Sequence, residues 1–79
     1  MGTLPRVEGD LQRRLGERLR TERAARGLSQ EALADALGVH RTYIGGLERG
    51  ERNVTLRTVE RLAERLGIDP LALLDGAAS

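Results

Sequence analysis

The chain has 79 residues and a mass of 8.6 kDa, the size of one small domain; at that size only about 60% of the unfolded surface is buried, so the core is thin. Cysteine is absent, which excludes disulfides, thiolate zinc sites and a cysteine nucleophile, and the single histidine, His40, cannot make a metal cluster. All 13 basic residues are arginine, and 12 acids leave a formal charge of +1, so any affinity for nucleic acid requires charge sorted onto one face.

Leucine and alanine dominate the apolar residues and aromatics are only 1% of the chain, which predicts an all-α domain. Residues 1–9 (MGTLPRVEG) hold Pro5 and Gly9 without a period and read as a flexible arm. A helix is expected from about Asp10, its N-cap, to Arg26, with Leu11, Leu15 and Leu19 on one face and i,i+4 pairs Arg13–Glu17 and Arg18–Glu22. Gly27 then suits the residue after the helix. Ser29 caps a second helix that carries Leu33 and Leu37 inward, with small Ala34 and Ala36 for close contact, and Gly38 ends it.

A third helix is expected from about Arg41 to Arg49, with Ile44 and Leu47 facing the core. Gly45 and Gly46 each cost it roughly 1 kcal/mol relative to alanine, so packing must hold it. Gly50 closes it, and Glu51–Val54 form a polar loop. Thr55 caps a fourth helix with Leu56, Val59, Leu62, Ala63 and Leu66 on its inner face, ended by Gly67. Asp69 and Pro70 start a short fifth helix bearing Leu71, Leu73 and Leu74. The domain spans 10–75, and residues 76–79 read as a disordered tail. No apolar run approaches the ~18 residues of a membrane span. The N-terminus lacks a secretion pattern, and Arg6 breaks the myristoylation motif that Met1-Gly2 begins.

Two short helices joined by Gly38-Val39 form a helix-turn-helix pattern over residues 29–49. Val39 and Ile44 plug the angle between the helices and Leu47 anchors the second. Arg41, Thr42, Tyr43 and a bare Gly45-Gly46 face are expected outward. A major groove about 12 Å wide admits one helix, read mainly by residues near its N-terminus, where Arg41 and Thr42 stand.

The stretch LSQEALADALGVHRTYIGGLERGERNVTLRTVERLAERLGI resembles the Cro/cI-type (XRE-like) helix-turn-helix family. The likeness covers roughly Leu15 to Leu74, and the run RTYIGGLERGERNVT is similar to controller proteins of restriction–modification systems. It implies a five-helix, lambda-repressor-like DNA-binding domain. It matches Gln30 to a phosphate contact at a helix N-terminus, and His40, Arg41 and Thr42 to the start of the recognition helix. Tyr43 matches a position near the sugar-phosphate backbone. Arg49, Arg52 and Asn53 match the following loop, which touches phosphates. Gly46 matches a base-reading position of some phage repressors, and here has no side chain. Val54 replaces a proline common in the family. Arg23 and Glu48 match a buried or half-buried salt bridge.

Weighed residue by residue, Arg41 is the base reader, since arginine pairs bidentately with guanine O6 and N7. Thr42 reads a thymine methyl or touches a phosphate. His40 is a turn or phosphate residue. Tyr43 meets the backbone or packs on the core edge. Gln30 is a phosphate ligand or a plain helix residue. Arg49, Arg52 and Asn53 are ambiguous singly, but beside a recognition helix they favour DNA. Arginines 13, 14, 18, 57, 61 and 65 read as solvated faces balanced by nearby glutamates. Leu71, Leu73 and Leu74 exceed what one monomer covers, which predicts a symmetric homodimer.

The leading expectation is a cytoplasmic transcriptional regulator, binding a pseudo-palindromic double-stranded DNA operator as a homodimer. RNA polymerase is a further partner; no membrane, metal, cofactor or small-molecule ligand is expected. The alternative is an antitoxin or adaptor whose main partner is another protein. An enzyme is disfavoured: there is no nucleophile–base arrangement, and the glycines form no phosphate-cradling loop.

Overall fold

A computed structural model describes residues 9–74, so the arm expected over 1–9 (Gly9 apart) and the tail expected over 76–79 lie outside the described residues. Five helices follow one another: α1 (Asp10–Ala25), α2 (Gln30–Leu37), α3 (Arg41–Glu48), α4 (Leu56–Leu66) and α5 (Pro70–Leu74). Among the described residues there is no strand. The architecture is all-α, as composition and period predict.

Local chemistry sets the helix starts. Ser29 accepts the Ala32 N–H at 3.0 Å, and Thr55 Oγ1 accepts the Thr58 N–H at 3.1 Å, each satisfying a backbone donor that has no partner inside its helix. Asp69 accepts the Leu71 N–H at 2.8 Å at the start of α5. The first helix departs from expectation. Gly9, at φ +81°, precedes it with no side-chain cap, and Asp10 is its first residue instead. The Asp10 carboxylate turns along the helix, 3.2 Å from Arg13 and 3.5 Å from Arg14. Arg13 therefore pairs backwards rather than with Glu17. The expected Arg18–Glu22 pair forms at 2.7 Å.

The turn between α2 and α3 depends on Gly38, at φ +72°, a left-handed conformation that a side chain disfavours. There the Val39 N–H reaches the Ala34 carbonyl at 3.0 Å and the Gly38 N–H reaches Asp35 at 3.2 Å, which satisfies the last carbonyls of α2. Arg61 of α4 donates to the Leu37 carbonyl at the same end, so this exposed arginine also ties α4 to α2.

The core joins Leu15 and Leu19 of α1, Leu33, Ala34 and Leu37 of α2, Ile44 and Leu47 of α3, Val59, Leu62, Ala63 and Leu66 of α4, and Leu73 of α5. Three expectations change here. Leu11 and Leu56 share the inner faces of their helices but lie at the ends, where they line an open groove with Val54 and Leu74; they are 57% and 74% exposed. Leu73, assigned to a dimer interface, is 0% exposed and belongs to the monomer core. Helix α5 packs against both α1 and α4, which encloses that side chain. Val54, placed in a polar loop, is half-buried against the core.

Helices α1 and α3 approach until there is no room for a side chain at Gly16. A Cβ there would lie 2.4 Å from the Leu47 carbonyl oxygen and 2.6 Å from that of Glu48. Backbone cannot yield as a flexible side chain does. Gly16→Ala is therefore expected to destabilise the domain by about 1–3 kcal/mol, the usual cost of overpacking, despite alanine's better helix propensity. Chemical denaturation of the two proteins checks this; an unchanged or raised stability refutes it.

Candidate nucleic-acid interface

With Ile44 and Leu47 buried, α3 turns its first residues outward, and Arg41 and Thr42 are exposed. Arg41 has no ion pair among the described residues. His40 is the N-cap of α3: its Nδ1 accepts the Thr42 N–H at 3.2 Å and lies 2.9 Å from the Thr42 hydroxyl. A backbone N–H can only donate, so Nδ1 is the unprotonated nitrogen and Nε2 carries the proton. The Thr42 hydroxyl proton also faces Nδ1, which leaves the methyl group and the oxygen lone pairs for other contacts. Tyr43 is half-buried. It packs on the core edge and lines a shallow pocket of about 140 Å³ with Leu37, Val39, Thr58 and Arg61.

The second half of α3 differs from expectation. Gly45 and Gly46 are buried, not a bare outward face. A Cβ on Gly45 would stand 3.1 Å from an Arg49 Nη1 and 3.6 Å from Gln30 Oε1, so these two side chains converge over it. A Cβ on Gly46 would meet the Arg52 Cγ at 2.7 Å. The Arg52 stem thus lies across the helix where the missing side chain would stand. Arg49 also pairs with Glu51 at 3.0 Å, an exposed contact of small energetic weight that an anion can displace.

The Arg23–Glu48 bridge implied by the family resemblance is present and bidentate, with Nε–Oε2 at 2.6 Å and Nη2–Oε1 at 3.0 Å. The hydrogen bond to Glu48 raises the Arg23 pKa above its ordinary value. Arg23 Nη1 also donates to the Leu28 carbonyl at 2.7 Å. Gln30 joins the network, its Nε2 donating to Glu48 Oε1 at 3.0 Å. One chain of bonds therefore links α1, the end of α3 and the first residue of α2. It neutralises a carboxylate that would otherwise oppose an approaching phosphate, and it leaves Gln30 one further N–H.

Asn53 is exposed in the loop after α3, where its Oδ1 accepts from Gln12 Nε2 at 2.9 Å. Neither Gln12 nor Arg61 stood out in the sequence, because their partners lie 41 and 24 positions away and neither pair has a local pattern. The expected residues Gln30, His40, Arg41, Thr42, Arg49, Arg52 and Asn53 all lie on or beside α3. Among the described residues no group of His, Cys, Asp or Glu could hold a metal, and no helix is long and apolar enough to cross a membrane.

The helix-turn-helix family matches residues 19–73, which include all of α2, α3 and α4 and most of α5. This chain belongs to that family. It is 49% identical over 65 residues to the control protein C.SmaI of Serratia marcescens, covering 82% of this chain and 77% of that one. To the control protein C.BamHI of Bacillus amyloliquefaciens it is 44% identical over 61 residues, covering 76% and 75%. The crystal structure of the restriction-modification controller protein C.AhdI from Aeromonas hydrophila superposes with a TM-score of 0.75 at 52% identity, over 81% of this chain and 96% of that chain.

Removing one partner of the Arg23–Glu48 bridge strands the other, whose side chain is 4% exposed in the case of Glu48. Arg23→Met is expected to cost about 3–5 kcal/mol in urea unfolding. The double variant Arg23→Met/Glu48→Leu should recover part of that loss, because no buried charge is left uncompensated. A double variant less stable than the single one contradicts this account.

Proposed function

We propose that this chain is a sequence-specific transcriptional regulator. It acts as a homodimer on a pseudo-palindromic operator and controls its own restriction–modification operon. The observation that carries the reading is the outward first turn of α3, where Arg41 and Thr42 are exposed above a sealed inner face. Gln30 and Arg49 converge over Gly45, and Arg52 lies across Gly46, on the next turn of the same helix. Identity near one half to proteins named as control or restriction-modification controller proteins supports the regulatory role over the antitoxin alternative.

In this mechanism two recognition helices enter successive major grooves about 34–36 Å apart. Arg41 donates bidentately to a guanine, and Thr42 turns its methyl to a thymine. His40 Nε2–H, Gln30, Tyr43, Arg49, Arg52 and Asn53 meet the sugar-phosphate backbone and set register. Occupancy alone regulates, by blocking or recruiting RNA polymerase in the cytoplasm; no catalysis, cofactor or small-molecule signal enters.

Selection of bound fragments from random DNA should yield a motif with two-fold symmetry. On that motif Arg41→Ala is expected to lose ~1–3 kcal/mol, and little on unrelated DNA. Equal losses on both would make Arg41 a phosphate ligand.

The dimer face proposed here differs from the one expected from the sequence. Leu73 is withdrawn into the core, whereas Leu71, 71% exposed, remains, as does half-buried Leu74. Leu11 and Leu56 add to them, lining a groove of about 230 Å³ that also includes Gln12, Leu15, Asn53, Val54, Val59 and Leu74. A second copy that covers these leucines removes the largest exposed apolar side chains from water. Leu71→Glu is expected to shift the protein from dimer to monomer in sedimentation at tens of micromolar, with helicity kept. A wild-type protein that sediments only as monomer there rules out the homodimer.

A further inference from the structure

We infer that His40 is a specificity-determining positioning residue: it takes the proton of the Thr42 hydroxyl, which denies Thr42 a phosphate contact and leaves its methyl group to read a thymine. The inference rests on the regulator reading. His40 precedes α3 with an extended backbone, and its ring turns toward the first turn of the helix. Nδ1 lies 3.2 Å from the Thr42 backbone nitrogen and 2.9 Å from the Thr42 hydroxyl oxygen. The helix fixes the direction of that N–H, which has no carbonyl partner inside α3 and needs an acceptor. The ring orientation follows, because a carbon edge of the imidazole in the same place would leave the N–H unsatisfied. Nδ1 is therefore unprotonated and can only accept. The second contact then has one polarity: the Thr42 hydroxyl donates and Nδ1 accepts.

A threonine hydroxyl has a single proton. Phosphate oxygens, guanine O6 and N7 and thymine O4 are all acceptors, so a hydroxyl whose proton is committed to Nδ1 bonds none of them. Thr42 is exposed, and among the described residues its hydroxyl bonds only to His40. Hydroxyl and methyl stand on one carbon, so the bond that holds the first also places the second. Threonine has two χ1 wells open to it in a helix, and His40 selects one of them. The oxygen is drawn toward the ring and the methyl stays free, and its match in the major groove is the C5-methyl of thymine. The same tautomer puts the ring proton on Nε2, the outer end. One side chain thus offers register through a phosphate and sets base identity through its neighbour.

The test uses the full chain and an operator duplex of about 30 base pairs, selected from random DNA and long enough for two half-sites one helical turn apart. Each thymine is replaced in turn by deoxyuridine, which lacks only the C5-methyl. At one thymine in each half-site, wild-type affinity should fall about fourfold, the scale of one buried methyl group. Thr42→Ser lacks the matching methyl and should abolish that drop. His40→Ala should abolish most of it, and His40→Asn, whose side-chain oxygen accepts from the helix start, should restore it. Thr42→Val separates positioning from capping. Valine is held in one helical rotamer by its own branching and needs no acceptor. The drop should persist in Thr42→Val and in the double variant His40→Ala/Thr42→Val. If His40 only held the helix end in place, the double variant would lose it.

A full drop in His40→Ala, a His40→Asn protein that behaves as His40→Ala, no thymine whose drop depends on Thr42, or loss of the drop in the double variant overturns the inference while the regulator reading stands. A selection that returns no motif overturns both.

Discussion

Helix α3 has eight residues, two of them glycine, and would not persist alone. What holds it is its packing on α2 and α1. Gly16 has no side chain, so the backbones of α1 and α3 meet, and Arg23 grips Glu48 at the far end of the same contact. The pairing does more than stabilise. Glu48 accepts from Gln30 as well, so the position of α2's first residue is tied to the end of the recognition helix. The outward residues of α3 inherit their orientation from an interface on its opposite side.

A formal charge of +1 is misleading about the face presented to a partner. Four acids, Asp10, Glu22, Glu48 and Glu51, are held in ion pairs. Glu48 is neutralised by Arg23. Glu22 is held below its ordinary pKa, first by the hydrogen bond from Arg26 and then by that from Arg18. Asp10 faces Arg13 and Arg14. Arg20, Arg41, Arg52, Arg57, Arg61 and Arg65 are left without ion pairs among the described residues, and of these Arg41 and Arg52 lie on or across α3. Local placement of charge, rather than the total, decides what approaches that face.

The apolar residues are sorted in the same way. One core runs through all five helices, yet Leu11, Leu56 and Leu71 stay in water. A domain this small has too few elements to cover every helix end.

The helix order, most of their ends and the outward start of α3 were legible in the sequence, because caps, terminal glycines and the inward spacing of Ile44 and Leu47 act over a few residues. The Arg23–Glu48 bridge was legible only through family resemblance, since its partners are 25 positions apart. Tertiary structure alone decided that Leu73 is enclosed while Leu11 and Leu56 are not, that Arg52 covers Gly46, and that Gln12 reaches Asn53. Periodicity states which way a side chain points about its own helix. Whether another element lies in that direction depends on where the helices cross, and no local pattern records a crossing.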